Sequence, residues 1–213
     1  MSPQPFISGG IGGEGIVCTG SILYVTKPGS VEKYDKATGT HIGTLSSGYG
    51  YLANMSLTPD GNFIYITDSN NGKISKINTI TGATVASVTQ SAAHDVVARP
   101  GGKVYVSNPN TGEIRLYDSN LTTSVPFISG PSCNTGFTFA NDGTVWVDSC
   151  AGSTVYHYDA NGNPIGSVTD PSLNFSWGNA IGPDGNLYVT TLTTLVANLD
   201  SVAIEIIATI AGY

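Results

Sequence analysis

Short runs in which β-branched and aromatic residues alternate with polar ones recur along the chain, each bounded by turn residues. That is the pattern of half-buried β-strands. One mark is an aromatic followed by a β-branched residue: Tyr24-Val25, Tyr65-Ile66, Tyr105-Val106, Trp146-Val147 and Tyr188-Val189. Successive aromatics lie 41, 40, 41 and 42 residues apart. A second mark is an acid or amide ending the next run, Asp35, Asn78, Asp118, Asp159 and Asp200, with gaps of 43, 40, 41 and 41. Two independent marks keep one period. Ahead of the aromatic runs stand Pro59-Asp60-Gly61, Pro100-Gly101-Gly102, Asn141-Asp142-Gly143 and Pro183-Asp184-Gly185, tight-hairpin sequences that join an apolar strand to the aromatic one. After the second mark, Thr38-Gly39, Thr81-Gly82 and Asn161-Gly162 turn the chain into a last strand, and the last strands centre on Leu45, Val88, Ile128, Val168 and Ile210. No segment has a helical period.

A four-stranded meander of ~40–45 residues is the unit of a propeller. The expected fold is therefore all-β: a five-bladed β-propeller of four-stranded antiparallel blades in a single domain, 1–213. The blades are expected at approximately 10–48, 49–90, 91–130, 131–170 and 171–213. Residues 1–9 add a further strand, because Gln4-Pro5-Phe6-Ile7-Ser8-Gly9 nearly repeats Val125-Pro126-Phe127-Ile128-Ser129-Gly130, and Ile7 precedes Leu45 by 38 residues. With Val202 to Ile210 read as the last blade's own outer strand, there are six outer strands for five blades. The N-terminal strand then either closes the last blade or pairs with a neighbouring subunit, since an unpaired strand edge invites another chain. Closure is the preferred expectation.

The segments Ile64-Tyr65-Ile66-Thr67-Asp68-Ser69 and Val104-Tyr105-Val106-Ser107-Asn108, each followed by a strand ending in Asn78 or Asp118, resemble NHL and YVTN-type propeller repeats. That resemblance covers nearly the whole chain and implies a fold shared by surface antigens, scaffolds and enzymes, so it assigns no activity. Gly13-Glu14-Gly15-Ile16-Val17 resembles the opening motif of the regucalcin–gluconolactonase family, where the Glu is a metal ligand. In that family Asn and Asp ligands open the inner strands of later blades, and the matching places here hold Asn54 and Asp95. The family has six blades, whereas this chain has five repeats.

Counting back from the hairpins puts Glu14, Asn54, Asp95, Gly136 and Gly178 at one equivalent place, with gaps of 40, 41, 41 and 42. In a propeller that place is the mouth of the central channel, where the innermost strands begin. Two carboxylates and an amide are hard oxygen ligands that suit calcium or magnesium. His94, beside Asp95, is the candidate proton carrier for catalysis. Polar strand ends that only bond channel water or backbone are the plainer reading of the same residues. Gly136 and Gly178 leave space for a ligand but supply no chemistry. His41 and His157 fall on a fourth and a third strand and are expected at the surface or between blades. Asp60, Asp142 and Asp184 are turn residues.

Charge narrows the partners. Lys and Arg number 8 against 15 Asp and Glu, for a net charge of −7, and the cations are not clustered in sequence. Counterion release needs clustered cations, so no nucleic-acid partner is expected, nor an electrostatic hold on anionic membranes. No run is long enough to span a bilayer, since Val202 to Ile210 is interrupted by Glu205. The start lacks a basic region followed by an apolar one, which leaves a cytosolic protein or a mature form with a Met added. The cysteines favour the latter. Cys133 and Cys150 fall in loops on the same side of one blade and are expected to form a disulfide, worth roughly 3 kcal/mol in the chain-entropy model and implying an oxidising compartment. Cys18, within an inner strand, is expected as a buried thiol. Asn120 and Asn174 head glycosylation sequons in loops, while the sequon at Asn54 falls at the channel. These readings converge on a secreted or cell-surface module that binds a protein partner or self-assembles through a terminal strand. A metal-dependent lactonase-like hydrolase using Glu14, Asn54 and Asp95 is the alternative.

Overall fold

A computed structural model of the chain describes residues 6–7, 13–193 and 203–210. The fold is an all-β, five-bladed β-propeller. The first sheet holds β1 (Ile16–Thr19), β2 (Ile22–Lys27), β3 (Ser30–Asp35) and β4 (His41–Ser47); the second holds β5 (Leu52–Leu57), β6 (Phe63–Asp68), β7 (Lys73–Asn78) and β8 (Thr84–Thr89). The third runs through β9 (Val96–Arg99), β10 (Lys103–Asn108), β11 (Glu113–Tyr117) and β12 (Ser124–Ser129). The fourth holds β13 (Phe137–Phe139), β14 (Val145–Asp148), β15 (Thr154–Tyr158) and β16 (Pro164–Thr169). The fifth, among the described residues, has three strands: β17 (Ser176–Ile181), β18 (Leu187–Thr193) and β19 (Ala203–Ile210). Within each sheet the order follows the chain.

This departs from the expected fourth strand in the last blade. The run Ala203–Ile210 pairs directly with β18, from Thr193↔Ala203 to Leu187↔Ile210, so it takes the third place in the sheet rather than the fourth. Asp200, expected to end a third strand, lies outside the described residues, as do residues 1–5 and 8–9 of the N-terminal segment.

Contacts group the chain into two compact units, Met1–Val106 with Leu116–Ser124, and Ser107–Arg115 with Val125–Tyr213. In the first unit, Tyr24, Val31, Leu45, Leu52, Met55, Ile64, Ile66 and Ile77 are buried together between the first two sheets. Tyr65, Ile74, Val96, Val104, Val106, Tyr117 and Leu121 form a second cluster. In the second unit, Trp146 packs with Val155, Leu173, Leu187 and Val189. Each such side chain contributes on the order of 1.5–3 kcal/mol when fully buried, and the periodic aromatic and its β-branched successor supply much of it.

The acid-or-amide mark has a local cause. Oδ1 of Asp35 accepts from Ala37 N (3.0 Å) and Thr38 N (2.8 Å), and Oδ1 of Asn78 accepts from Ile80 N (3.0 Å) and Thr81 N (2.8 Å). Asp118 and Asp159 close the corresponding turns through Asn120 N and Asn161 N, both at 2.8 Å. Side-chain acceptors that bond backbone two or three residues on are the reason Asp and Asn favour turns.

Candidate functional site

The first three inner strands begin side by side in the first unit. Hydroxyls on β2 and β6 hold the openings of β1 and β5. Gly15 N donates to Thr26 Oγ1 (2.9 Å), and Asn54 N donates to Thr67 Oγ1 (3.0 Å). Thr67 Oγ1 in turn donates to His94 O (2.5 Å), tying the second blade to the third. The glycines flanking Glu14 are steric necessities: a Cβ on Gly13 would collide with the Thr26 carbonyl, and one on Gly15 would stand 2.8 Å from Met55 N. The Gly-Glu-Gly spelling therefore answers to packing as well as to any ligand.

The candidate residues fall into two adjoining pairs. Glu14 accepts a hydrogen bond from Tyr51 Oη (2.5 Å) and faces His94 Nε2 at 3.8 Å. Burial and the Glu14 carboxylate push the Tyr51 hydroxyl well above its ordinary pKa, so Tyr51 stays protonated and donating. Asn54 Nδ2 donates to Asp95 Oδ1 (2.5 Å), and the same oxygen accepts from Val96 N (2.8 Å). Asn54 Oδ1 accepts from Met55 N (2.7 Å). Asp95 is buried, whereas Glu14 is exposed. Among the described residues no group of three His, Cys, Asp or Glu side chains converges closely enough to hold a metal ion; a set of Glu14, Asn54 and Asp95 would need amide and carboxylate oxygens turned away from their present partners. Tyr51 was missed in the sequence, because its place before β5 carries no period.

In the second unit the equivalent places hold Gly136, which is closely packed, and Gly178, where a Cβ would meet only Thr190 Oγ1 at 3.5 Å. A Cβ on Gly136 would stand 2.8 Å from Gly178 Cα and 3.1 Å from Asp148 Oδ2. Gly136 is glycine because two inner strands approach closely, which corrects the expectation of open room for a ligand at that place. Asp148 occupies the position that Thr26, Thr67 and Thr190 fill in other blades. It is fully buried and accepts from Asn179 Nδ2 (2.7 Å). Its place in the sequence is marked, as the residue two after the periodic aromatic Trp146.

Cys133 and Cys150 form the expected disulfide, with Cα atoms 5.3 Å apart, inside the roughly 4.4–6.8 Å range such bridges take. Cys150 N also donates to Cys133 O (3.0 Å). Cys18 is free and exposed, against the expectation of burial. The reason is alternation: Val17 and Thr19 turn inward along β1, while Ile16 and Cys18 turn outward. His41 bonds Glu32 (2.8 Å) with its side chain about half exposed, and His157 stacks on Trp146 at 3.9 Å between ring centres. Burial depresses the His157 pKa, against the raising field of Asp142. Asn120 and Asn174 are both exposed. No helix among the described residues is long and apolar enough to cross a membrane.

One grouping was not legible at all. Lys76, Arg99 and Lys103, scattered in the sequence, line one cleft of the first unit with Phe63, Tyr65 and Ser119.

Compared with protein-family models and with curated protein sequences, the chain matches none. Solved structures do match. Hydrazine synthase of Kuenenia stuttgartiensis superposes with a TM-score of 0.69 at 17% identity, covering 93% of this chain and 62% of that one. A chain of the nidogen/laminin complex gives 0.70 at 18% identity, over 84% of this chain and 71% of that one. The Cps50 (Swd1) β-propeller domain of Myceliophteria thermophila gives 0.64 at 13% identity, over 92% and 72%. The chain thus spans less than two thirds of the hydrazine synthase chain. At these identities the likeness is one of fold.

Proposed function

We propose that this chain is an extracytoplasmic β-propeller that acts as a binding or surface-assembly module. The observation that carries the reading is the mutual engagement of the polar side chains at the inner-strand starts. Tyr51 bonds Glu14, and Asn54 bonds Asp95 and its own backbone neighbour, so these groups tie adjacent blades together. A surface poor in charge and rich in Ser, Thr, Asn and Gly supports the same reading. The Cys133–Cys150 bridge supports an oxidising compartment. The nidogen/laminin structure is one in which a propeller of similar fold sits in a protein–protein complex.

A metal-dependent hydrolase of lactonase type is the second reading. It is supported by the Glu14 carboxylate lying 3.8 Å from His94 in the same unit, with calcium or magnesium as the ion that oxygen ligands suit and an activated water attacking a carbonyl. The two are separated by the melting temperature with calcium and then with chelator, because an ion bound only by the folded chain raises stability by mass action. The module reading expects the same melting temperature in both. A calcium-dependent rise that disappears in Glu14→Ala, together with lactone hydrolysis, would establish the hydrolase instead.

A further inference from the structure

The chain carries only 8 Lys and Arg, and three of them meet in the cleft of about 300 Å³ lined by Phe63, Tyr65, Lys76, Arg99, Lys103 and Ser119. Phe63 and Tyr65, two apart on β6, both line it. Lys76 rises from β7 with its Nζ 4.3 Å from the centre of the Phe63 ring and 5.6 Å from that of Tyr65. Arg99 and Lys103 stand directly opposite one another across the β9–β10 hairpin.

Arg99 and Lys103, at opposite positions of the hairpin, give the cleft two further cationic side chains, and the call for an anion comes from Lys76. Lys76 is only 8% exposed, and buried charges are ordinarily paired. Its ammonium donates to Ser119 O (2.9 Å), an acceptor it shares with Tyr65 Oη (2.6 Å). Among the described residues the ion pairs are His41–Glu32, His94–Glu14 and Arg115–Glu113; none involves Lys76. An ammonium has three donors, so Lys76 has capacity beyond Ser119 facing an aromatic wall.

The acids nearby set the charge of the guest. Asp60 itself lines the cleft, and burial, with the Asp118 and Asp60 carboxylates adding to it, pushes the Tyr65 hydroxyl up to about 12. Each carboxylate is wrapped by its own turn: Asp60 by Thr58 and Asn62, Asp118 by Asn120, Thr122 and Thr123. They therefore temper the cleft's positive potential without neutralising Lys76, and they penalise a doubly charged guest. We infer that the cleft binds a monoanionic carboxylate carrying an apolar body. The carboxylate would lie among Lys76, Arg99 and Lys103, and the body on Phe63 and Tyr65. This site is separate from the inner-strand pairs, so its failure would leave the module reading standing.

The test is a titration of the full chain with sodium benzoate, followed by amide chemical shifts. Benzamide, of the same shape without the charge, and inorganic phosphate, charged without the apolar body, are the comparators. Benzoate should shift residues of β6, the β9–β10 hairpin and Ser119, with a Kd on the order of 1 mM for a ligand this small. The surface double variant Arg99→Gln/Lys103→Gln should weaken it by about tenfold, the size of one charge-assisted hydrogen bond, and Lys76→Met should weaken it further. The double variant alters exposed or half-exposed side chains, so it keeps the test valid if Lys76→Met fails to fold. No shift with benzoate at about ten times that concentration, equal shifts with benzamide, tighter binding of phosphate, or unchanged binding by the double variant would each overturn the proposal.

Discussion

Asp35 and Asp118 hold the same place in the first and third repeats but use their carboxylates differently. Asp35 gives one oxygen, Oδ1, to Ala37 N, Thr38 N and Thr38 Oγ1. Asp118 gives both: Oδ1 to Asn120 N and Thr122 N, and Oδ2 to Thr122 Oγ1, Thr123 N and Thr123 Oγ1. An amide retains only one acceptor oxygen, and the Asn78 turn works with one. Asp35→Asn should accordingly lower the melting temperature at pH 7 by less than Asp118→Asn does. Equal effects of the two would contradict this reading. The Thr38 hydroxyl holds the Asp35 carboxyl below its usual range, and the Thr123 hydroxyl does the same to Asp118. A folded pKa below the unfolded one adds stability that is fully present above the ordinary carboxylate value of about 3.9. That stability is lost as pH falls through the folded value. Ellipticity followed against pH should show this contribution intact down to about pH 4 and declining below it, with a shallower decline in Asp118→Asn.

At the scale of strands and turns, the sequence disclosed most of the fold because the same physical demands recur every blade. The Thr81-Gly82 and Asn161-Gly162 turns illustrate it. Gly82 has φ +71°, and a Cβ there would collide with the Leu45 carbonyl; Gly162 has φ +86° and meets the Phe127 carbonyl in the same way. The turn of one blade packs on the outer strand of the blade before it, so glycine repeats there and can be read as a period. Gly82→Ala should destabilise by roughly 2 kcal/mol, from left-handed strain and overpacking together. Gly152→Ala, where nothing lies within 4 Å and φ is not positive, should change stability little. Urea unfolding of both variants measures the contrast, and equal midpoints would refute it. What the sequence hid was whatever depends on neighbours far along the chain. Tyr51 meets Glu14 from 37 positions away, and the cleft around Lys76 assembles cations from three strands. The pairing of Asn54 with Asp95 lay one step beyond the period that aligned them. The exposure of Cys18 turns on a one-residue choice of face.

At the scale of the molecule, the N-terminal segment carries the strongest consequence of the repeat. Phe6 and Ile7 are its described residues, and the Phe6 carbonyl lies where a Cβ on Gly39 would collide with it. Leu45 stands in that relation to Gly82, and Phe127 to Gly162. Toward the first sheet, then, Phe6 occupies the place that an outer strand occupies toward the next blade, as its likeness to Pro126-Phe127-Ile128 implies. The surplus of outer strands implied by the sequence also falls away, since Ala203–Ile210 is a third strand and not a fourth. A segment in this role covers the Thr38-Gly39 turn, with the Phe6 carbonyl and ring nearest to Gly39. Deleting residues 1–9 should lower the urea midpoint of the monomer and shorten the lifetime of the first sheet's amides in hydrogen exchange, because an uncovered outer element opens at lower free energy. Light scattering on the same variant tests the alternative: a monomer of unchanged stability that no longer assembles would mean the segment serves a neighbouring subunit. Unchanged stability with unchanged oligomeric state would remove both roles.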